Sequence, residues 1–216
     1  MISQTVLPIA ATTSIVQDPE VRALLEQCQP GTTNFYPADA MIYAQGDVAG
    51  PLYLVEFGTV RICRMTSDGR RQITSFCYAG DVFGLEGGSE HESYAESVDG
   101  AGLRVLRPAD RASFAHRLLN LALRRFARIQ SHLLLLGRMD ANEKMATFLA
   151  DLLDRQAATR IINLPMQRND IADYLGLTFE TVSRVLRVLK DRGIIRLQSV
   201  DRIEVLDVDA LLAIGS

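Results

Sequence analysis

Asn169-Asp170-Ile171-Ala172-Asp173-Tyr174-Leu175-Gly176-Leu177-Thr178-Phe179-Glu180-Thr181-Val182-Ser183-Arg184-Val185-Leu186 reads as two short helices around one glycine. With Arg168 opening the unit, Ile171, Leu175, Leu177, Val182 and Val185 are apolar where two crossed helices must pack. Ala172 is small where the helices approach most closely. Gly176 stands where the turn needs a positive φ, which glycine adopts without steric cost. Thr178 can N-cap the second helix through its hydroxyl. The pattern is a helix-turn-helix, whose second helix enters the major groove of DNA.

The second helix divides cleanly into two faces. Val182, Val185, Leu186 and Leu189 form its buried stripe, while Glu180, Ser183, Arg184 and Arg187 recur at i, i+3, i+4 and i+7 on the other side. Arg184 can donate two hydrogen bonds to guanine O6 and N7, Glu180 can accept from a cytosine amino group, and Ser183 can donate or accept. These three are the candidate base readers. Arg168, Asn169, Thr178, Arg187 and Lys190 are the candidate phosphate contacts. A plain solvated face, with Glu180 and Arg184 as an i,i+4 ion pair, is the bland alternative.

Beyond this unit, Asp191-Arg192-Gly193 ends the helix and Ile194-Ile195-Arg196-Leu197 begins a strand, for which Arg202-Ile203-Glu204-Val205 can be the hairpin partner. The result is a winged helix. Leu164 to Leu206 carries seven Arg/Lys against six Asp/Glu, and the whole chain has a formal charge of −3. Non-specific DNA affinity comes from phosphate neutralisation, so binding away from a preferred sequence should be weak.

The rest of the 216 residues, 48% hydrophobic, suffices for one or two cores. No apolar run approaches the length of a membrane span, and Met1-Ile2-Ser3-Gln4-Thr5 lacks the basic-then-apolar design of a signal peptide. Cys28, Cys63 and Cys77 are scattered and odd in number, which fits a reduced cytoplasm better than a disulfide framework. Cytoplasmic localisation is therefore expected.

Three parts follow along the chain. The first, residues 1–107, begins with a helix over Asp18 to Gln29 that aligns Val21, Leu24, Leu25 and Cys28. Short alternating strands then run from Thr32 to Arg107 between glycine turns, and seven or eight of them closing into a barrel or roll would remove exposed edges. Residues 108–139 form a long helix in which Leu119, Leu123, Phe126, Ile129, Leu133 and Leu136 make a coiled-coil-type seam. That seam predicts a homodimer, since helix-turn-helix proteins read two-fold symmetric sites; a helix packed on its own barrel is the alternative. In residues 140–216, Asp140 with Glu143 forms a capping box at the hinge, followed by a helix carrying Met145, Phe148, Leu149, Leu152 and Leu153. The predicted class is α+β: a β-roll, a dimerisation helix and a winged helix-turn-helix.

Together these parts resemble the CRP/FNR superfamily of bacterial transcription regulators over nearly the whole chain. Leu52-Tyr53-Leu54-Val55-Glu56-Phe57-Gly58-Thr59-Val60 and Ala79-Gly80-Asp81-Val82-Phe83-Gly84 are similar to that family's glycine signature in a cyclic-nucleotide-binding-like jelly roll. Glu180, Ser183 and Arg184 match the E-x-x-S-R form, which in the family reads TTGAT-type half-sites in an inverted repeat. Phe179 stands where the cyclic-AMP receptor branch has arginine. Leu164-Pro165-Met166 with Asp173-Tyr174-Leu175-Gly176-Leu177-Thr178 looks most like the FixK subgroup, implicated in microaerobic, respiratory and nitrogen-fixation gene control in alpha-proteobacteria. The resemblance implies an activator that touches RNA polymerase through roll loops, with the Ser67-Asp68-Gly69-Arg70 hairpin (Asp68, Gly69 and Arg70) as the candidate surface.

Departures from the family bear on the signal. The FNR branch holds a [4Fe–4S] cluster on four cysteines, and this chain has three in total. In the family's nucleotide pocket an acidic residue follows the glycine of Phe83-Gly84 and an Arg-Ser or Arg-Thr pair holds the phosphate. Here Leu85 takes the acidic place and Glu92 precedes Ser93, which replaces a charge-assisted clamp with a repelling carboxylate. No cofactor and no metal site is expected; His91 between Glu90 and Glu92 does not converge with ligands from other strands, and His116 and His132 fall on the long helix. Two alternatives stay open: a regulator that senses an unidentified ligand or a thiol redox signal in the roll, for which Cys63 beside Arg64 has some claim although a buried, inert thiol is the default for Cys28, Cys63 and Cys77, and a cupin-type enzyme. The chain is expected not to be an enzyme.

Overall fold

A computed structural model describes residues 18–67, 69–138, 140–156 and 160–215 of the chain. They separate into two compact units, residues 1–128 and 129–216, divided inside a long helix. The amino-terminal unit starts with α1 (Pro19–Leu25) and continues through β1 (Thr33–Tyr36), β2 (Met41–Tyr43), β3 (Leu52–Phe57), β4 (Val60–Met65), β5 (Arg71–Cys77), β6 (Val82–Phe83), β7 (Tyr94–Ser97) and β8 (Ala101–Leu106). These strands form two four-stranded antiparallel sheets, in the orders β1-β8-β3-β6 and β2-β7-β4-β5. The fold class expected from the sequence is the one observed.

Period-two alternation explains how the roll closes. On β3, Tyr53 and Val55 point inward and join Tyr43, Val60, Ile62, Cys77, Phe83, Ala95, Ala101 and Leu103 in the interior cluster. Leu54, between them, faces the other way and packs with Val21, Leu24, Val82, Leu106 and Phe114. Glu56 lies on that outer face too and is buried. Its carboxylate accepts from the Thr33 hydroxyl of β1 and is paired with Arg104 of β8, so one ionic cluster ties three neighbouring strands. On the other sheet, buried Arg61 donates to Glu96 at 2.9 Å and to Asp39 at 2.8 Å.

The first helix is shorter than its apolar spacing suggests. After Leu25 the chain tightens through bonds from Gln27 N to Leu24 O and Cys28 N to Leu25 O. Cys28 then bridges to Pro108, and Gln29 N donates to Arg107 O. Pairing with the end of β8 overrides helical continuation. The same pairing delays α2 (Arg111–Arg138), because Ala109 N is held by Gln27 O.

The carboxyl-terminal unit continues with α3 (Ala141–Arg155), β9 (Ile161–Asn163), α4 (Arg168–Leu175), α5 (Phe179–Asp191), β10 (Ile195–Leu197), β11 (Arg202–Val205) and α6 (Val208–Ile214). The hairpin β10–β11 is the anticipated wing, and β9 adds to it as a third strand in the order β10-β11-β9. Neither β9 nor α6 was part of the sequence reading. A three-residue strand has too little alternation to identify itself and exists through its non-local pairing, Ile162 opposite Ile203. For α6 a local signal was present, since Asp207 N-caps it by accepting from Ala210 N at 2.9 Å. The core of this unit joins Met145, Phe148, Leu149 and Leu152 of α3 to Ile162, Ile171, Leu175, Val182, Leu186, Leu189, Val205 and Leu211.

Gly58, between β3 and β4, has φ +80°, and a Cβ there would lie 1.9 Å from the Gly100 carbonyl oxygen. Gly58→Ala should therefore cost about 3 kcal/mol or more, combining left-handed strain with a backbone clash. Gly87→Ala, where a Cβ meets nothing within 4 Å, should stay within about 0.5 kcal/mol. Chemical denaturation of the two variants checks the contrast, and equal losses would contradict it.

Candidate nucleic-acid interface

The turn between α4 and α5 is built as its residues dictate. Gly176 caps α4 at φ 62°, ψ 41°, and its N–H donates to Ala172 O. The following Leu177 N–H reaches the same carbonyl at 2.9 Å. Thr178 is the N-cap of α5: its hydroxyl accepts from Thr181 N at 3.2 Å and is 3.1 Å from the Thr181 hydroxyl. Ile171, Ala172, Leu175, Val182, Val185 and Leu186 are buried between and behind the helices. The geometry is a helix-turn-helix.

Along the outer side of α5, Glu180, Arg184 and Arg187 are exposed and Ser183 is half-buried. The Glu180 carboxyl is held below the usual carboxylate range by its own backbone N–H and by the Thr178 hydroxyl. It is thus an ionised acceptor at neutral pH, drawn to the helix amino terminus where a negative charge is favoured. Asn169 and Thr178 are exposed at the starts of α4 and α5, and Lys190 is exposed in the last turn of α5. By helix geometry Lys190 stands about 15 Å along the axis from Glu180.

Arg168 occupies a place that its sequence position did not reveal. It is half-buried rather than extended into solvent, and its Nη1 donates to the Ser183 hydroxyl at 3.3 Å. Its Nε is buried without a hydrogen-bond partner. Two residues read separately, one toward phosphate and one toward bases, are in contact across the helix pair.

The other predicted positions are found as follows. Asp140 caps α3 with both halves of a capping box: its carboxylate accepts from Asn142 N at 2.7 Å and Glu143 N at 3.0 Å, and Asp140 N donates to Glu143 Oε2 at 2.6 Å. On α2, Leu119, Leu123, Phe126, Ile129 and Leu133 are all exposed, each between 46% and 60%. The Leu136 and His132 side chains lie outside the described residues, and His116 is exposed. In the β4–β5 hairpin Gly69 N donates to Thr66 O and Thr66 N to Arg70 O, both at 2.9 Å; Asp68 lies outside the described residues.

The interior of the roll bears on ligand binding. His91 is 3% exposed, stacks on Tyr43 with ring centroids 3.7 Å apart, and pairs through Nδ1 with Glu86 Oε1 at 3.0 Å. Tyr43 adjoins Tyr53, which stacks on Phe83. The aromatic partner of His91, Tyr43, is remote in sequence and leaves no local signal. Leu85 is exposed, and Glu92 is exposed and paired with Arg64 at 3.6 Å. The roll interior gathers Tyr43, Tyr53, Phe83 and the buried His91, and the residue before Ser93 is the exposed carboxylate Glu92, a poor match to a cyclic phosphate. Among the described residues no group of three His, Cys, Asp or Glu could hold a metal ion.

Cys63 follows the buried, inert default and not the redox alternative. It is fully buried, and burial pushes its thiol up to about 11. Its neighbour Arg64 carries its charge on the exposed side of β4. Cys77 is also buried, and desolvation raises the half-buried Cys28 thiol.

A roll followed by a winged helix-turn-helix defines a class, the DNA-binding transcription regulators with a cyclic-nucleotide-type sensor fold. Residues 33–99 match the cyclic nucleotide-binding domain family and residues 143–214 the Crp-like helix-turn-helix domain family. The chain is 47% identical over 176 residues to the nitrogen fixation regulation protein FixK of Rhizobium meliloti, covering 82% of this chain and 83% of that protein. It is 36% identical to the transcriptional activatory protein AadR of Rhodopseudomonas palustris, over 82% and 80% of the two chains. The crystal structure of FixK2 from Bradyrhizobium japonicum superposes with a TM-score of 0.82 at 36% identity, covering 87% of this chain and 98% of that one. The chain belongs to the CRP/FNR family, as a FixK-like DNA-binding transcription regulator, and is not an enzyme. Among the described residues no helix is long and apolar enough to cross a membrane.

In the native protein at pH 8, Cys63 should alkylate about a hundredfold more slowly than a free thiol, from its raised pKa alone. Mass-spectrometric mapping after brief iodoacetamide treatment checks this. Rapid native labelling of Cys63 would restore the redox reading.

Proposed function

We propose that the protein acts in the cytoplasm as a homodimeric activator, binds an inverted TTGAT-type repeat, and does so without a small-molecule effector. The observation that carries the base-reading part is the outward row of exposed Glu180, Arg184 and Arg187 and half-buried Ser183 on a capped helix whose opposite face is buried. Glu180 accepts from a cytosine amino group, Arg184 donates to guanine, and Ser183 completes the half-site. Arg168, Asn169, Thr178, Arg187 and Lys190 hold phosphates and set the register.

Dimerisation uses α2. Five large apolar residues exposed at steps of three and four make a seam that a second copy would cover. Effector independence is supported by the aromatic interior of the roll, where Tyr43, Tyr53 and Phe83 pack together and His91 stacks on Tyr43. Activation is supported by the likeness to the activatory protein AadR. Contact with RNA polymerase is assigned to the hairpin carrying Asp68, Gly69 and Arg70, and Asp140 is the hinge between the sensor-like and DNA-binding parts.

Arg184→Ala should weaken binding to the inverted repeat by about 1–3 kcal/mol and relax guanine preference at one position of each half-site. Lys190→Ala should weaken all sequences alike and lower the salt slope by about one. Anisotropy titrations at several salt concentrations separate these, and unchanged operator affinity in Arg184→Ala would remove the base-reading assignment. Phe126→Glu should yield a monomer in analytical ultracentrifugation and lose about a hundredfold or more in affinity for the repeat, since paired engagement is lost. A dimer of undiminished affinity would refute the seam.

A further inference from the structure

We propose that Arg168 is a specificity-determining residue that acts through Ser183: it occupies the serine as an acceptor and turns its proton toward the DNA. The proposal rests on the reading of α5 as the recognition helix and adds a rule for what Ser183 reads. The carrying observation is the 3.3 Å contact from Arg168 Nη1 to the Ser183 hydroxyl, from the first turn of α4 to the middle of α5.

A serine hydroxyl has one proton and two lone pairs, so an isolated Ser183 would read base donors and acceptors alike. Arginine has donors only, and the contact therefore has one polarity: Arg168 gives, Ser183 Oγ receives. The Ser183 proton must then point away from the guanidinium. A serine within a helix often spends its proton on the carbonyl four residues back. Here, among the described residues, Arg168 is the hydrogen-bond partner of the Ser183 side chain. The proton stays available on the outer side of α5, and a cationic donor bound to the oxygen strengthens it as a donor.

Arg168 is also held in this pose against a local cost. Its Nε is buried with no partner, a loss that a surface arginine would avoid by swinging into solvent. A buried orphan donor calls for a reason, and supporting Ser183 supplies one. With one lone pair held by Arg168 and the proton turned outward, Ser183 favours acceptors on the major-groove edge, such as purine N7, guanine O6 or thymine O4, over the amino groups of adenine and cytosine, which have only its second lone pair to meet.

The test uses the wild-type protein first, which removes any question of folding. Operators are prepared with single base analogues: 7-deazapurines, which delete the N7 acceptor, 4-thiothymine, which weakens the O4 acceptor, and purine in place of adenine, which deletes the N6 donor. Deleting or weakening the acceptor at one position should cost about threefold to tenfold in affinity, while deleting the donor there costs nothing. Ser183→Ala should abolish that sensitivity. Arg168→Met should abolish it too, and in the Ser183→Ala background it should cause no further loss of selectivity, although both lose general affinity through the missing charge. Arg168→Lys, which keeps a charged donor, should restore part of the selectivity.

Three results would overturn the proposal. One is a donor-deletion penalty at the position governed by Ser183. Another is selectivity unchanged in Arg168→Met while affinity falls equally on every sequence, which would make Arg168 a phosphate contact alone. The third is a Ser183→Ala protein with every base preference intact. If Arg184→Ala also left all preferences intact, the reading of α5 itself would have failed, a distinguishable outcome.

Discussion

The left-handed turn at Gly176 is the constraint on which the DNA-reading unit depends. It reverses the chain within three residues, so that α4 and α5 leave the turn with Ile171, Ala172 and Leu175 facing Val182, Val185 and Leu186. A side chain at this φ would be strained, and a helix continuing past Leu175 would carry Glu180 and Arg184 away from their neighbours. With the crossing fixed, the amphipathic sequence of α5 has one orientation available, buried stripe inward and ionic row outward. The contact between Arg168 and Ser183 follows from the same crossing, because it joins residues fifteen apart in sequence that only this turn brings together.

The roll obeys a different constraint. Its strands bury residues on both faces, so interior and exterior clusters compete for adjacent positions of one strand, as Tyr53, Leu54 and Val55 show. Burying Glu56 on the outer face is tolerable because Arg104 and Thr33 satisfy it. Inside, the space is given to aromatic rings, and His91 joins them through Tyr43 and Glu86.

Much of this was legible in the sequence because it was local. Gly176, the Thr178 cap and the Asp140–Glu143 box each lie within one or two helical turns, where propensity and spacing decide the outcome. The features that escaped were non-local. Strand β9 exists because β11 accepts it, α1 stops at Leu25 because Cys28 pairs with Pro108, and His91 acquires a role from Tyr43. The redox alternative at Cys63 rested on its neighbour Arg64, but Cys63 is buried while Arg64 is exposed, as adjacent residues of a strand face opposite ways. Glu180, Ser183 and Arg184 stand out one by one in the sequence, while the contact of Arg168 with Ser183 required the fold.

The proposed reading of a specific inverted repeat by α5 needs no ligand in the roll. It is tested most directly by titrating the purified dialysed protein against a TTGAT-type inverted repeat and a scrambled duplex, at one fixed salt concentration, with and without cyclic AMP and cyclic GMP. The account predicts tight, sequence-selective binding by the protein alone, unchanged by either nucleotide. Equal affinity for the two duplexes, or selectivity that arises only when a nucleotide is added, would contradict it.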